Sequence, residues 1–386
     1  MIHMNILVLG NGFDLAHKLP TAYEDFLNFT DAFIEYKNKG NIFVAEASPK
    51  TKSYLKDLFN RESTDAEAQS IIREMEKSIT DNVWITHFKN IKTGQGWVDF
   101  ENEISSIVQE FESVRSEIID NIKNDQSTSL KKYQIEKLER FFSYSEAPDT
   151  LKEIARIKKH MLEDLKKLTR ALEIYLSDYV NNLPVSIRLP DIDKLEIDKV
   201  LSFNYTNTYE RIYGKRKPSI EYDYIHGKAE ITHDVNSCNL VLGIDEYLTG
   251  DEKNRNTEFI QFKKFFQRIY KKTGCKYMDW INTYLTELDN YENCITDNFK
   301  SDMESLNIYI FGHSLDITDK DILAALIQTK YAKTKIFHFN QDALGTQIAN
   351  LVKIIGQDTF ISMVHGKHPD IILQQQLLQI KISWQH

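Results

Sequence analysis

The sequence predicts an α/β protein in which a parallel sheet is interrupted by a large helical insertion. Three observations carry that expectation. Four short runs rich in β-branched and aromatic residues, Asn5 to Leu9, Lys199 to Phe203, Asn307 to Phe311 and Thr334 to Phe339, are bounded by polar residues, as strands buried on both faces are. Three of these runs end directly in a polar or glycine-containing motif. Between the first and second, from about Ala22 to Val180, apolar residues recur at helical spacing, as at Ile104, Val108 and Phe111 and again at Met161, Leu165, Leu168, Leu172 and Leu176. The expected division is a Rossmann-like sheet domain, residues 1–30 and 195–386, around a mainly helical insertion, residues 31–194.

The first run continues as Gly10-Asn11-Gly12-Phe13-Asp14 and then as a helical pattern. A nucleotide-binding sheet begins this way, because glycine turns the chain sharply, admits a diphosphate and leaves N–H groups at the first helical turn. Leu15 stands where the dinucleotide fingerprint G-x-G-x-x-G has its third glycine, which argues against an ordinary dehydrogenase. A tight strand-to-helix turn without a ligand would use the same residues.

Inside the insertion, Trp97-Val-Asp-Phe-Glu101 puts Asp99 and Glu101 on one face if that segment is extended. Such a pair could hold a divalent metal or simply pair with basic residues. Lys123 to Ser129 reads as a polar connection, and Leu183 to Asp193, with Pro184 and Pro190, returns the chain to the sheet.

The second run leads into Asn204, Tyr205 and Thr206, and Tyr224-Ile-His-Gly227 follows. Strand ends in open parallel sheets face the ligand crevice, so these polar residues, with His226 and Gly227, are expected at a site. The alternative is that Asn204 caps a helix and His226 is a half-buried turn histidine. Glu252 to Phe299 reads as helical, with Phe259, Phe262, Phe265, Phe266 and Ile269 forming an aromatic face for the core or for another copy of the chain, with nucleotide stacking the lesser alternative.

The third run ends in Gly312-His313-Ser314, again a turn without a side chain followed by a hydroxyl and amides suited to ribose or phosphate. Asp316, Asp319 and Asp321 follow; they suggest either a metal or, as is common at helix starts, dipole and capping partners. No metal is assigned to the site.

A formal net charge of −9 argues against a broad nucleic-acid-binding surface and leaves Lys215-Arg-Lys217 as a solvated loop. Cys238, Cys275 and Cys294 are widely separated with no C-x-x-C, so neither a disulfide framework nor a thiolate zinc site is expected. No apolar run approaches a bilayer span, and the expected location is cytoplasmic, without membrane or nucleic-acid partners.

The motifs Gly10 to Phe26, Trp97-Val-Asp-Phe-Glu101, Ser202 to Glu210, Ile225-His-Gly227, Val241-Leu-Gly-Ile-Asp245 and Phe311-Gly-His-Ser-Leu315 resemble, in this order, the AbiH family of bacterial phage abortive-infection proteins. That family is distantly similar to sirtuins, whose Gly-Ala-Gly, Gln-Asn-Ile-Asp and His-Gly motifs follow the same order. The resemblance implies a sirtuin-like sheet with an NAD pocket. On it, Gly10, Gly12 and Phe13 would hold the diphosphate and nearby ribose, and Asn204 would lie beside the nicotinamide ribose. His226 would be the general base on a ribose hydroxyl, and Gly312 with Ser314 would contact the adenosine half. Asn11, Asp14, Tyr205, Thr206, Gly227 and His313 complete the implied nucleotide-binding set, with Asn204 and His226 as the catalytic pair.

Asp14 stands where sirtuins have serine, Thr206 where they have aspartate, and the four-cysteine zinc module is missing. These departures point from a protein deacylase toward an NAD-consuming defence effector that hydrolyses NAD, its substrate, to nicotinamide and ADP-ribose. The alternatives are a non-catalytic sensor of NAD or ADP-ribose and a metal-dependent nuclease at Asp99 and Glu101. The expected partners are the nucleotide and a phage-derived trigger or partner protein; the aromatic helices also permit a homo-oligomer.

Overall fold

The computed structural model describes residues 2–43, 46–95, 99–125, 130–142, 148, 150–294, 304–377 and 380–381. The chain divides into two units. Unit 1 is Met1–Thr21, Val180–Lys228 and Lys272–His386, and unit 2 is Ala22–Tyr179 and Ala229–Lys271.

Unit 1 is built on six strands: β1 (Ile2–Leu9), β2 (Lys199–Ser202), β3 (Glu221–Tyr224), β4 (Glu304–Phe311), β5 (Ala332–His338) and β6 (Ile371–Gln375). Their order is β3-β2-β1-β4-β5-β6 and every pairing is parallel. The chain winds outward from β1 to β3, then returns to the far side of β1 with β4. This is the doubly wound, Rossmann-like arrangement, with its switch point between β1 and β4. Ile187–Arg188 and Ile380–Lys381 form a separate antiparallel pair.

Apolar runs make the central strands because both faces are covered. Ile6, Val8, Leu201, Ile308, Ile310 and Ile336 enter one core, and Leu7, Leu9, Val200, Phe311 and Phe337 enter the other. All four anticipated strands are present. The sequence reading did not anticipate β3 or β6, the two outer strands. Register brings the carboxyl ends of the inner strands level: Leu9 lies opposite Ser202 and Phe311, and Ser202 opposite Tyr224.

Unit 2 carries the helical insertion, α2 (Tyr23–Lys39), α3 (Pro49–Arg61), α4 (Ala66–Ile79), α5 (Val83–Gln95), α6 (Phe100–Lys123), α7 (Lys132–Leu138) and α8 (Leu151–Ile174), while α1 (Asn11–Ala16) belongs to unit 1. Ser48, Asp65, Asp99 and Thr150 cap α3, α4, α6 and α8 with their side chains. Phe26, Phe29, Phe33, Trp84, Phe88, Phe100 and Phe111 are fully buried. Residues 229–231 are tied to α8 through Arg170, which is 1% exposed. Its guanidinium donates to Glu173 at 2.7 Å, to both oxygens of Glu74 at 3.0 Å, and to the carbonyls of Glu230 and Ile231.

The aromatic stripe expected from Phe259 to Ile269 is split. Phe259 and Phe262 are buried, whereas Phe265 and Ile269 are exposed. Ile244 pairs as a bridge with Lys263, exchanging hydrogen bonds with Phe262 O and Lys264 N, and this interrupts one helical register between the two halves.

Candidate functional site

The loops that follow β1, β2, β3 and β4 leave the sheet at one level and hold the residues singled out by sequence. Gly10 and Gly12 face Gly312 backbone to backbone. Gly10 N donates to Phe311 O at 3.0 Å, Gly12 N to Gly312 O at 2.8 Å, and Phe13 N to Gly10 O at 2.9 Å. A Cβ on Gly10 would lie 2.5 Å from Gly312 O, and one on Gly312, whose φ is +70°, would lie 2.2 Å from Phe13 N. The glycines therefore let two strand-end loops touch at the switch point. This corrects the expectation of free amides for a diphosphate, since the amides of Gly10, Gly12 and Phe13 already have carbonyl acceptors.

Phe13 is fully buried against Phe311, His17, Tyr209 and Tyr213, so its side chain belongs to the core. His17 places Nδ1 2.8 Å from Phe13 O and Nε2 2.9 Å from the Tyr213 hydroxyl. A carbonyl can only accept, so Nδ1 carries the proton, and burial lowers the pKa of His17 to about 4. Asn11 is exposed and exchanges hydrogen bonds with Thr21.

Asn204 joins the β2 loop to the β1 loop. Its amide nitrogen donates to Gly10 O at 3.0 Å and to Asp14 Oδ2 at 3.1 Å, and Thr206 donates to the same carboxylate oxygen at 2.6 Å. Asp14 is 1% exposed, and its Oδ1 has no hydrogen-bond partner. Burial raises its pKa to about 6, partly opposed by hydrogen bonds from Thr206, Thr208 and Asn204 and by the charge of Arg211. Asp14, Ser202, Asn204, Thr206, Thr208 and Tyr224 help to line a cavity of about 10 Å³, room for at most one water.

The β3 and β4 loops meet at a carboxylate. His226 is 5% exposed, and its Nε2 lies 3.5 Å from Asp319 Oδ1; His313 is 6% exposed, and its Nε2 lies 3.5 Å from Asp319 Oδ2. Phe203 contacts both rings edge-on, with centroids 5.6 Å from His226 and 4.4 Å from His313, and Tyr205 lies beside His226. Leu315 N donates to His313 Nδ1 at 2.9 Å. Leu315 has φ +58°, a left-handed conformation costing a leucine about 1 kcal/mol, and its side chain is completely buried. Gly227 turns the β3 loop at φ +83°, and Ser314 is exposed beyond His313.

The structure thus brings Asn204, Asp14 and Thr206 together as one cluster and His226 and His313 together as another. It adds Asp319, for which the sequence suggests either a metal or a dipole and capping role. Asp316 performs the capping, accepting from Thr318 N at 3.0 Å, whereas the Asp319 side chain makes no cap bond at the start of the helix Lys320–Ile327.

Asp99 and Glu101 do not share the face of an extended segment. Asp99 caps α6 and Glu101, in its first turn, pairs with Lys264 at 2.7 Å. Trp97 lies outside the described residues. Among the described residues no group of three or more His, Cys, Asp or Glu side chains is arranged to hold a metal. Larger cavities lie elsewhere in unit 1. One of about 340 Å³ is lined by Arg188, Tyr209 and Tyr213, and one of about 470 Å³, by His3, Lys199 and Trp280, reaches the amino-terminal ends of β1 and β2; no sequence-predicted site residue lines either.

No described helix is long and apolar enough to cross a membrane. No curated protein and no solved structure matches the chain. The family model described as Bacteriophage abortive infection AbiH matches residues 6–340, from β1 through the loop after β5 and so across every strand-end loop of the site. The chain belongs to the AbiH family of bacteriophage abortive-infection proteins.

Proposed function

We propose that the strand-end loops of unit 1 bind NAD and hydrolyse its nicotinamide–ribose bond as the effector step of abortive infection. The observation that supports this most is the pairing of a buried histidine with a buried carboxylate, His226 with Asp319, at the carboxyl end of a doubly wound parallel sheet. Water adds its oxygen to the anomeric carbon as the bond to the pyridinium nitrogen breaks. The electron pair of that bond neutralises the ring nitrogen, nicotinamide leaves without an acid, and the water proton passes to His226. Positive charge develops on the ribose during this step, so orientation contributes more than acid strength.

Asn204 acts by fixing the β1 loop through Gly10 and Asp14. Because its amide is used between loops, a second reading is kept: a non-catalytic NAD or ADP-ribose sensor in which loop ties transmit occupancy. The test is NAD consumption and nicotinamide release by the purified wild type, Asn204→Ala and His226→Ala, with and without phage-infected lysate, together with calorimetric binding. Release by the wild type, with His226→Ala keeping affinity and losing turnover, supports the hydrolase. Binding without release under any condition favours the sensor, and no binding refutes both.

A further inference from the structure

We propose that Asp319 is a positioning residue that fixes the tautomer of His226, leaving Nδ1 of His226 as the atom that takes the proton, and that His313 acts through Asp319 rather than on the nucleotide. The chemical part of this inference rests on the hydrolase reading above; the structural part does not.

His313 Nδ1 accepts a hydrogen bond from Leu315 N, so the ring proton of neutral His313 sits on Nε2. That nitrogen faces Asp319 Oδ2 at 3.5 Å, and a carboxylate accepts what an N–H offers. One oxygen of Asp319 thereby faces a ring whose other nitrogen is held by the Leu315 amide. The other oxygen, Oδ1, faces Nε2 of His226, also at 3.5 Å, an ion-pair approach in which no hydrogen bond is yet formed by either of these two buried atoms. An imidazole beside a carboxylate places its N–H there, so the lone pair of neutral His226 resides on Nδ1. The same division of labour operates wherever a buried carboxylate orients a catalytic histidine. Distances of 3.5 Å are long for hydrogen bonds, as such contacts often are before a substrate tightens them.

Three further observations support a role beyond helix capping. Asp319 sits at an N-cap position without a side-chain cap bond, since Asp316 already supplies the cap of the preceding turn. Both imidazoles and the carboxylate are more than nine-tenths buried. Phe203 is wedged edge-on against the two rings, which limits their rotation and leaves Asp319 between them as the polar link.

The test uses the full-length chain labelled with ¹⁵N-histidine, its tautomers read from long-range ¹H–¹⁵N correlations above pH 7. Neutral Nε2–H forms are expected for His226 and His313. A wild-type His226 in the Nδ1–H form overturns the proposal, and this measurement needs neither a variant nor activity. In Asp319→Asn the side-chain amide can donate to His226 Nε2, so His226 is expected to switch to Nδ1–H. Turnover should then fall on the order of 10³- to 10⁴-fold, with KM within about threefold of wild type if Asp319 does not touch substrate. His313→Gln should leave His226 in mixed tautomers with a smaller loss of turnover. Full turnover in Asp319→Asn overturns the proposal while the hydrolase reading stands. A wild type that cleaves no NAD yet keeps His226 as Nε2–H supports the positioning role and refutes the hydrolase reading.

Discussion

Replacing Gly312 with alanine should cost more stability than replacing any glycine that lacks its two constraints, and a four-glycine series separates them. Gly345 is helical with open space at its Cβ position, Gly40 has φ +66° with open space, Gly10 has contacts only, and Gly312 has both contacts and φ +70°. Alanine in a helix is favoured over glycine by about 1 kcal/mol, so Gly345→Ala should be neutral or stabilising. The left-handed conformation costs a non-glycine residue roughly 1–2 kcal/mol, which sets the expectation for Gly40→Ala. At Gly10 the added carbon meets Gly312 O and His313 Cα at 2.5 and 2.6 Å. Both are backbone atoms that no side-chain rotation can clear, and such overpacking costs about 1–3 kcal/mol. Gly312→Ala adds the two terms, about 2–5 kcal/mol, or roughly 5–15 °C in the melting of a unit of this size. Calorimetry gives the shift, and hydrogen exchange of the β1 and β4 amides localises it to the loop contact. Gly312→Ala melting no lower than Gly40→Ala would refute the reasoning, because the two loops would then stand apart and the Gly12 amide would be free for a phosphate.

Asp14 supplies a pH dependence. Its folded pKa, about 6, lies above its unfolded value, so its contribution is fully present below pH ~4 and is lost as pH rises through 6, on the order of 3 kcal/mol. His17, lowered to about 4, acts in the opposite sense as pH falls below ~6.5, so only the difference between wild type and Asp14→Asn isolates Asp14. That variant should gain relative stability between pH 4 and 7, and a flat difference curve in urea denaturation would count against it. Arg170→Met should destabilise unit 2 by about 3 kcal/mol, because fully buried Glu173 loses the guanidinium and keeps His233 and the Glu230 amide; exchange of the Glu230–Ile231 segment checks this, and unchanged protection would contradict it. Asp99→Ala should cost about 1 kcal/mol as a lost cap and leave NAD turnover and any nuclease activity within twofold, whereas abolished activity would restore the metal reading.

The parts of the fold that sequence revealed are those buried on both faces. Asn5 to Leu9 and Asn307 to Phe311 carry continuous apolar runs because helices cover both sides of the sheet there. By contrast β3, Glu221-Tyr-Asp-Tyr224, and β6, Ile371-Ile-Leu-Gln-Gln375, are outer strands with polar or half-exposed positions; β3 alternates with charged residues and the apolar part of β6 stops after three residues, of which Ile372 is exposed. The polar motifs at strand ends were legible for a related reason: an apolar run that stops at Gly10, Asn204 or Gly312 stops where the sheet meets its loops. What sequence could not reveal was direction. Phe13 looks like a site residue by position and is core by orientation, and Asp319 looks like a cap by position and turns to two histidines instead.

The contacts among the four loops form a closed circuit, and this bears on how one site could serve either proposed role. The β1 loop is held to the β4 loop by Gly12 N and Gly312 O, and to the β2 loop by the Asn204 amide on Gly10 O and Asp14. The β3 loop is held to the β2 strand end by Ile225 N on Ser202 O, and its His226 faces Asp319 of the segment after β4 at 3.5 Å, an ion-pair approach without a hydrogen bond. A ligand that displaces one loop must therefore strain at least two of these ties, so binding and loop geometry are coupled whether or not a bond is cleaved. A hydrolase needs the His226–Asp319 tie to survive substrate binding, because the base loses its orientation without it. A sensor needs some tie to yield on binding, because occupancy is otherwise not transmitted. The tautomer of His226, measured with and without NAD, separates these demands: retention of Nε2–H in the complex fits catalysis, and its loss on binding fits signalling.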